Sequence, residues 1–361
     1  MTSLLLNVFP SFDPGGAQTR FATLANHFGA KLRHVIIALD GRTGCTQSLA
    51  PEVEFRCLPV AARKNTLTGN LGLFRKILRQ VRPDILVTHN WGTIEWSAAK
   101  IATGCRHIHI EDGFGPEEAH GQYRRRVLAR RLLLRHSTVV VPSRNLERLA
   151  RQTWHIPRAN LHYIPNGIDL ERFARTQEAE NRTPVIGTVA ALRPEKNLTR
   201  LIRAFAQVAA TTPCRLVIVG AGPERAALEA TTHTLGVAKD VDFAGHQPDP
   251  SRFYKQFDVF AITSDTEQMP YTVLEAMAAG CPVVATDVGD IRQMVSPANQ
   301  PFVVGQHDEA VREALRSLLC DQALRKKIGA ANLQIARLKY GRDIMFRSFA
   351  EIYNVPGLIA D

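Results

Sequence analysis

The chain has 361 residues, of which 45% are hydrophobic and 22% are charged. This composition is typical of a globular protein with sizeable apolar cores, and it excludes a disordered or fibrous chain. At roughly 100–200 residues per domain, the length favours two domains. The formal net charge of +11 favours anionic partners such as nucleotides, lipid phosphates, membrane surfaces or nucleic acids.

Three features that the sequence lacks narrow the class of protein further. Its longest apolar runs fall far short of the ~20 residues that span a bilayer. The N-terminus lacks the basic and apolar regions of a signal peptide. The six cysteines are scattered without a CxxC pair, which indicates reduced thiols and not a disulfide framework or a zinc site. We therefore expect a cytoplasmic protein.

Short apolar runs alternate with helical patterns along the first half of the chain. Most are dense in Val, Ile and Leu, as strands buried on both faces of a parallel sheet are. The alternation predicts an α/β fold with a doubly wound sheet. The predicted strands are residues 4–9, 34–39, 53–58, 84–88, 106–110, 138–141 and 161–164.

A polar stretch at residues 174–183 has no apolar anchors and is predicted to be a linker. The strand series then restarts, and two or three helices follow from Asp308 onward. We expect a first domain over residues 1–165 and a second over 166–340, with a C-terminal helix at 341–361 packed back on the first. The predicted strands of the second half are residues 184–190, 215–219, 241–244, 259–263, 282–285 and 302–304.

In open α/β sheets, ligands bind beyond the carboxyl ends of the strands, so the loops that follow strands are the candidate sites. The first such loop carries Gly15 and Gly16 at the predicted start of a helix. Two glycines let a ligand approach the backbone closely, and a helix N-terminus offers free N–H groups to an anion. The alternative is a tight turn that needs positive φ.

Two cations, Arg193 and Lys196, follow the first predicted strand of the second half. Fixed cations there could hold a diphosphate and stabilise the charge that develops on a leaving group. The alternative is a solvated turn with a surface ion pair. Gly220 lies in the next loop, where turn chemistry explains a glycine at least as well as ligand contact does.

Two glutamates eight positions apart follow the strand predicted at 259–263: Glu267 in the loop and Glu275 in the helix after it. The loop and the first helical turn offer several unpaired N–H groups. A carboxylate accepts hydrogen bonds from vicinal hydroxyls, so the pair suits a sugar at one end and a ribose at the other. Glu275 lies among apolar residues, which predicts burial and a need for a partner. The alternative is two solvent-exposed acids.

These motifs, in this order, resemble the retaining glycosyltransferases of family 4. That family has the GT-B fold, in which two Rossmann-like domains face each other across a cleft. The resemblance is most specific in the second half and is carried by the spacing from Glu267 to Glu275 with the residues up to 286, by Arg193 with Lys196, by residues 164–173, by residues 220–223, and by Gly15 with Gly16.

The resemblance implies a retaining, metal-independent glycosyltransferase with no cofactor, which takes a UDP-sugar or GDP-sugar as donor. Arg193 and Lys196 would neutralise the donor diphosphate, and Glu275 would bind the ribose hydroxyls. Gly16 would approach the diphosphate or the sugar from the facing domain. The donor sugar would be held by Glu267 together with the amides of the segment from Met269 through Pro270 to Tyr271.

The resemblance also implies a polar residue in the first domain, a histidine or an acid, after a mid-domain strand. Here Asp112 is the first choice, with His109 and Glu111 next. Because His107 and His109 share one face of the predicted strand, a pair of hydrogen-bonded core histidines is the alternative.

A second loop of the first domain follows the strand predicted at 84–88. It carries His89, Asn90 and Trp91, which could touch the acceptor. Trp91 could equally belong to the core.

Residues 123–135 contain six arginines beside an apolar stripe. The pattern is typical of a helix that lies on an anionic membrane, at about 1 kcal/mol per basic residue near the surface. The alternative is a helix packed by its leucines with a solvated basic face. We expect the acceptor to be a glycan or a lipid-linked glycan of bacterial-type polysaccharide or glycoconjugate synthesis, and the protein to be peripheral on the inner face of the membrane.

Other enzyme and binding classes stay open at this point. A glycoside phosphorylase or a sugar-nucleotide epimerase would share the donor cleft. A nucleic-acid-binding protein is suggested only by the net charge, and the chain lacks interleaved aromatics, a helix-turn-helix pattern or a zinc module. We therefore expect no nucleic acid partner. A nicotinamide dehydrogenase is disfavoured because GxGxxG is missing.

Overall fold

The computed structural model describes residues 2–62, 69–114, 118, 121–175 and 183–358. The chain divides into two compact units, one of Met1–Asn166 with Asp343–Asp361 and one of Gly167–Arg342. The predicted linker at 174–183 falls largely on residues 176–182, outside the described residues. No helix among the described residues is long and apolar enough to cross a membrane.

The first unit contains a seven-stranded parallel sheet in the order β3-β2-β1-β4-β5-β6-β7. Its strands are β1 (Ser3–Phe9), β2 (Leu32–Ala38), β3 (Glu54–Cys57), β4 (Ile85–His89), β5 (Arg106–Ile110), β6 (Thr138–Val141) and β7 (Leu161–Tyr163). Its helices up to the boundary are α1 (Gly16–Phe28), α2 (Leu71–Val81), α3 (Ile94–Ala99), α4 (Arg124–Leu133) and α5 (Arg144–Gln152).

The second unit contains a six-stranded parallel sheet in the order β10-β9-β8-β11-β12-β13. Its strands are β8 (Val185–Val189), β9 (Arg215–Val219), β10 (Val241–Gly245), β11 (Val259–Ile262), β12 (Val283–Thr286) and β13 (Val303–Val304). Its helices are α6 (Leu170–Phe173), α7 (Leu198–Ala209), α8 (Arg225–Thr234), α9 (Ser251–Tyr254), α10 (Tyr271–Ala278), α11 (Ile291–Met294), α12 (Asp308–Cys320) and α13 (Gln322–Lys339).

The last helix, α14 (Arg342–Tyr353), returns to the first unit. Phe349 is buried in one cluster with Leu5 and Ile108 of the first sheet. The guanidinium of Arg106, at the start of β5, donates to the backbone carbonyl of Tyr353 at 2.7 Å. The chain therefore enters the second unit after the first sheet is complete, and it adds its last helix to the first core.

The predicted α/β class with two parallel sheets is confirmed. Every strand predicted from an apolar run is present, and the bounds differ by at most two residues. In both sheets the order of the strands reverses at the first strand of the sheet. β1 lies between β2 and β4, and β8 lies between β9 and β11. At such a switch point, the loops on the two sides diverge and leave a crevice for a ligand.

Candidate functional site

At the switch point of the second sheet, the loops after β8 and β11 are joined by an ion pair. The ammonium of Lys196 lies 2.5 Å from Oε1 of Glu267, and the hydroxyl of Ser264 donates to the same oxygen at 2.7 Å. The side chains of Lys196 and Glu267 are 24% and 10% exposed. The structure therefore brings together a predicted diphosphate cation and the predicted sugar-binding acid in a partly desolvated position.

Arg193, the other predicted cation, begins the 3-10 turn Pro194–Lys196. Its side chain is exposed, and no other described residue forms an ion pair with it. Arg193 is therefore available to an anion, whereas Lys196 already has an acidic partner.

Asp265 holds the loops after β8 and β11 together. Its carboxylate accepts from the guanidinium of Arg200 at 2.8 Å and from the amide of Asn197. Its backbone N–H donates to the carbonyl of Glu195 at 2.9 Å. Asp265 is not among the candidate site residues predicted from the sequence. Its partners lie too far away along the chain for a local pattern to reveal them.

Glu275 lies in α10 with one side of the helix in the core. Val273, Leu274 and Met277 are fully buried, and Glu275 itself is half-buried. Burial raises the pKa of the Glu275 carboxyl, while interaction with the Tyr254 hydroxyl and with the positive charge of Arg172 lowers it. The prediction that Glu275 lies among buried apolar residues is confirmed, although the residue itself is only half-buried, and it has the polar neighbours that a partly buried acid needs. Those neighbours, on α9 and α6, were not predicted.

The segment that leads into α10 contains the other predicted donor residues of this loop. Met269 is buried, and Pro270 occupies the N-cap of the helix that Tyr271 begins. Gly289, from the loop after β12, lies beneath Glu267, and a Cβ there would be 2.4 Å from the Glu267 carbonyl. The absence of a side chain at Gly289 lets the two backbones pack closely, and sequence reasoning did not single it out.

Gly220 follows β9 and has φ of +145°, a region that disfavours side chains. A Cβ at this position would lie 1.8 Å from the carbonyl oxygen of Ala190, in the loop that leads to Arg193. Gly220 therefore has a clear packing role, in keeping with the interpretation of this loop as turn chemistry.

In the first unit, Gly15 and Gly16 form the start of α1. Gly15 is extended, with φ of −172°, and Gly16 is the first helical residue. Neither has positive φ, so the alternative of a tight turn that needs it is wrong. Both residues are exposed, and the first amides of α1 lack intrahelical acceptors. This arrangement is suited to an anion at the helix N-terminus.

The histidines of β5 belong to a buried hydrogen-bonded chain. The hydroxyl of Thr88 lies 2.8 Å from Nε2 of His107 and 2.8 Å from Nδ1 of His109. The other ring nitrogen of His107 lies 2.7 Å from the Ser137 hydroxyl. Burial holds the pKa of His107 well below its usual value. The prediction that the two histidines share one face is confirmed, and His107 is a core residue.

Glu111 is fully buried and forms an ion pair with Arg130 of α4 at 3.1 Å. The guanidinium of Arg130 lies 4.9–5.3 Å from the ring centres of Trp91, Phe114 and Trp154. His109 is also fully buried, and its Nε2 lies 3.6 Å from Glu111. Neither candidate therefore presents an accessible group at the end of β5.

Asp112 differs from these two candidates because its side chain is 17% exposed. Its Oδ1 lies 2.6 Å from Nη2 of Arg20, and its backbone N–H donates to Oδ1 of Asn90 at 2.7 Å. Burial raises the pKa of the Asp112 carboxyl, and the Arg20 guanidinium opposes that rise. Arg20 was missed by sequence reasoning because nothing in the pattern of α1 marks it as polar core.

The loop after β4 contains the predicted acceptor-side residues. His89 is buried, and its ring stacks on Phe9 at 3.8 Å between centroids. Its two ring nitrogens have no hydrogen-bond partner among the described residues. Trp91 is partly buried against a core cluster of the first unit. Asn90 has φ of +60° and ψ of 173°, which is a strained conformation for a residue with a side chain.

The basic segment forms α4, but its apolar and basic residues are not segregated as the sequence suggested. Arg130 is fully buried, whereas Leu128 and Leu132 are 56% and 67% exposed. Arg124 and Arg131 are exposed on the same helix. The alternative of a helix packed by its leucines with a solvated basic face is wrong at these positions.

Among the described residues, no three His, Cys, Asp or Glu side chains are arranged to hold a metal ion.

Two family models match the chain. One, described as "Glycosyltransferase Family 4", matches residues 14–172, and the other, described as "Glycosyl transferases group 1", matches residues 171–334. The predicted motifs of the second half all fall within the group 1 match. The two matches meet near the boundary between the compact units.

Curated relatives include two enzymes named for GDP-mannose. A GDP-mannose-dependent alpha-mannosyltransferase of Mycobacterium tuberculosis is 31% identical over 174 residues, which cover 45% of this chain and 43% of that protein. A GDP-mannose-dependent monoacylated alpha-(1-6)-phosphatidylinositol monomannoside mannosyltransferase of Corynebacterium glutamicum is 30% identical over 206 residues, 51% and 53% of the two chains. The chain thus spans about half the length of the curated relatives it matches.

Solved structures resemble the chain over nearly its whole length. Anabaena Alr3699/HepE in complex with UDP has a TM-score of 0.82 at 17% identity and covers 98% of this chain and 99% of its own. A glycosyltransferase from Rickettsia africae has a TM-score of 0.79 at 16% identity, with 98% of both chains covered. At such identities these similarities establish the fold, and they confirm the expected α/β fold with two Rossmann-like domains.

Proposed function

Because the chain belongs to glycosyltransferase family 4, whose models together match residues 14–334, we propose that it transfers a sugar from a nucleotide-sugar to a glycan or lipid-linked acceptor. The observation that carries the proposal is the Lys196–Glu267 pair at the switch point of the second sheet. A cation and an acid held there suit a donor that is anionic at its diphosphate and rich in hydroxyls at its sugar.

We assign the donor contacts as follows. Arg193 and Lys196 bind the diphosphate, and the charge that grows on it as the sugar leaves strengthens both contacts. Glu267 accepts hydrogen bonds from the sugar, with the backbone of residues 269–271 beside it. Glu275 accepts hydrogen bonds from the ribose, and the nearby charge of Arg172 favours its ionised form.

We further propose that the reaction retains the anomeric configuration and needs no divalent metal. The bond between the anomeric carbon and the diphosphate oxygen breaks, the acceptor oxygen forms the new glycosidic bond on the same face, and the proton of the acceptor hydroxyl leaves with the diphosphate. The two cations perform the work that a metal ion performs in other transferases, which is to stabilise the departing diphosphate. Asp112 is the first-unit group that accepts a hydrogen bond from the acceptor hydroxyl, and its partial exposure supports this role.

We propose a UDP-sugar or GDP-sugar donor, and the mannosyltransferase relatives make GDP-mannose the first to test. We also propose that α4 contacts an anionic membrane on its inner, cytoplasmic face and so brings the protein to a lipid-linked acceptor. The exposed Leu128 and Leu132 between arginines support this contact.

Product analysis tests the proposal. The chain is incubated with radiolabelled GDP-mannose, UDP-glucose and UDP-N-acetylglucosamine, each with a bacterial lipid extract and with EDTA. We expect the label to be transferred to the lipid. We also expect NMR of the product to show the same anomeric configuration as in the donor. Release of a sugar phosphate that requires inorganic phosphate would identify a phosphorylase, and an altered nucleotide-sugar would identify an epimerase. Either outcome, or no turnover without added metal, contradicts the proposal.

A further inference from the structure

Arg20 is a charged side chain buried in the first unit. It projects from α1 and is 1% exposed, yet it carries a charge that is costly to remove from water. Its Nη2 lies 2.6 Å from Oδ1 of Asp112, and its Nη1 donates to Oδ1 of Asn166 at 3.1 Å. One guanidinium thus links α1 to Asp112, just after β5, and to Asn166, the last residue before the chain enters the second unit.

The contacts around Asp112 leave one oxygen of its carboxylate for a ligand. Arg20 engages Oδ1, whereas Oδ2 is buried and has no hydrogen-bond partner among the described residues. The backbone of Asp112 is fixed separately by Asn90, whose strained φ and ψ persist only because its surroundings determine them. The carboxylate is therefore held from both ends, while one buried acceptor atom has no partner and is costly to leave unpaired.

The other titratable groups near Asp112 do not replace Arg20. On β5 and just after it, His109 favours the ionised form of Asp112, whereas the negative charge of Glu111 opposes it. Glu111 is itself paired with Arg130. On β4, His89 is held neutral because burial and the charge of Arg20 lower its pKa. Of the described arginines and lysines, Arg20 is the one in an ion pair with the Asp112 carboxylate.

We propose that Arg20 is the positioning residue of the first unit, which keeps Asp112 ionised and its free oxygen oriented toward the acceptor hydroxyl. This inference rests on the proposed sugar transfer, since it assigns the acceptor contact to Asp112. Arg20 does not touch the substrate. It offsets the free-energy cost of desolvating a carboxylate that must stay charged. Its second bond, to Asn166, fixes the guanidinium and with it the position of that carboxylate.

The test compares Arg20→Met, Arg20→Lys and Asp112→Asn in the whole chain, by the pH dependence of kcat/KM for the acceptor. Removing an opposite charge raises a carboxyl pKa by about one unit or more. We expect the acidic limb of Arg20→Met to move to higher pH by that amount, with kcat at least tenfold lower. KM for the donor should change less than twofold, because the side chains assigned to the donor lie in the second unit. The double variant with Asp112→Asn should be no slower than Asp112→Asn alone.

Arg20→Lys covers the case in which Arg20→Met does not fold. A lysine keeps the charge but cannot bind Asp112 and Asn166 in the same fork geometry. We expect its acidic limb to stay at the wild-type pH while kcat falls severalfold. An unmoved limb in Arg20→Met, or an unchanged kcat in Arg20→Lys, overturns the positioning role. Full activity of Asp112→Asn also overturns it while sugar transfer stands, whereas a wild-type chain that transfers no sugar contradicts the proposed function itself.

Discussion

Lys196 and Glu267 meet at 2.5 Å between the ammonium and Oε1, although one follows β8 and the other follows β11. The contact is possible because these two strands are neighbours at the switch point of the second sheet. For the proposed donor, this ion pair would preorganise the charge of the site. Glu267 holds the Lys196 ammonium in place, and a diphosphate that enters would share that charge.

Replacing Lys196 by alanine should remove a cation that contacts the diphosphate most strongly when the sugar leaves. We expect kcat to fall by about 10²–10³-fold, the loss that follows removal of one transition-state donor. Steady-state kinetics with the preferred donor measure this. Lys327→Ala is the matched control, since Lys327 is exposed on α13 and outside the site. Equal turnover by both variants would contradict the assignment of Lys196.

Glu275→Gln should weaken donor binding by removing the charge that accepts from the ribose hydroxyls. Charged hydrogen bonds contribute about 1.5–3 kcal/mol, so we expect the donor KM to rise by about tenfold or more. A donor with a 2′,3′-dideoxyribose should raise the donor KM of the wild-type chain by the same factor. With Glu275→Gln, the same donor should raise KM little further. Additive losses would show that Glu275 does not contact the ribose.

The Glu275 carboxyl should also make donor affinity depend on pH. Burial raises the pKa of the Glu275 carboxyl, so its ionised form is lost at a higher pH than that of an ordinary glutamate. Donor affinity should be full above this raised pKa and should fall as the pH drops through it. Titration calorimetry with the nucleoside diphosphate measures the effect, which Glu275→Gln should abolish. An acid dependence that survives in the variant would assign it to another group.

His34 should make the protein less stable in mild acid. Burial lowers the pKa of His34 from 6.5 to about 4, so the folded state keeps the ring neutral while the unfolded state protonates it. The stability is present above pH 6.5 and is lost as the pH falls from 6.5 toward 4. Because the unfolded state binds one more proton than the folded state in this range, the unfolding free energy falls by about 1.4 kcal/mol per pH unit. The total loss approaches about 3 kcal/mol near pH 4.

Urea denaturation at pH 7, 6 and 5 measures this dependence. His34→Gln keeps a polar partner for the neighbouring Asn7 amide, which lies 3.3 Å from the His34 ring, and removes the titration. We expect the pH slope of the unfolding free energy to decrease by one proton in the variant. An unchanged slope would mean that other buried groups account for the acid sensitivity.

Serine at both Leu128 and Leu132 should abolish binding of the chain to anionic vesicles. These leucines are exposed on α4 among arginines, and partial burial of two such side chains contributes on the order of 2–3 kcal/mol. Flotation with vesicles of phosphatidylglycerol and phosphatidylcholine at low salt measures binding. Leu338→Ser is the matched control, because Leu338 is 65% exposed on α13. Turnover of a water-soluble acceptor should stay unchanged, and equal flotation of all variants would exclude α4 as the contact.

The sequence alone determined the strands, the α/β class, the two parallel sheets and the loops that carry the candidate site. Apolar runs report burial on both faces of a strand, and the carboxyl ends of parallel strands share one edge, so Arg193, Lys196, Glu267 and Gly15 could be identified from position alone. These are local signals, carried by residues within one turn or one strand of each other.

The tertiary structure decided which charges are buried and with whom they pair. Arg20 and Arg130 look like surface residues of their helices, yet both lie in the core of the first unit against acids from the end of β5. Leu128 and Leu132 look like core residues and are exposed. The free energy of a buried charge depends on partners that are distant in sequence, which no local periodicity encodes. For that reason the fold could be derived from the pattern, whereas the partners of Asp112, Glu275 and Asp265 required the folded chain.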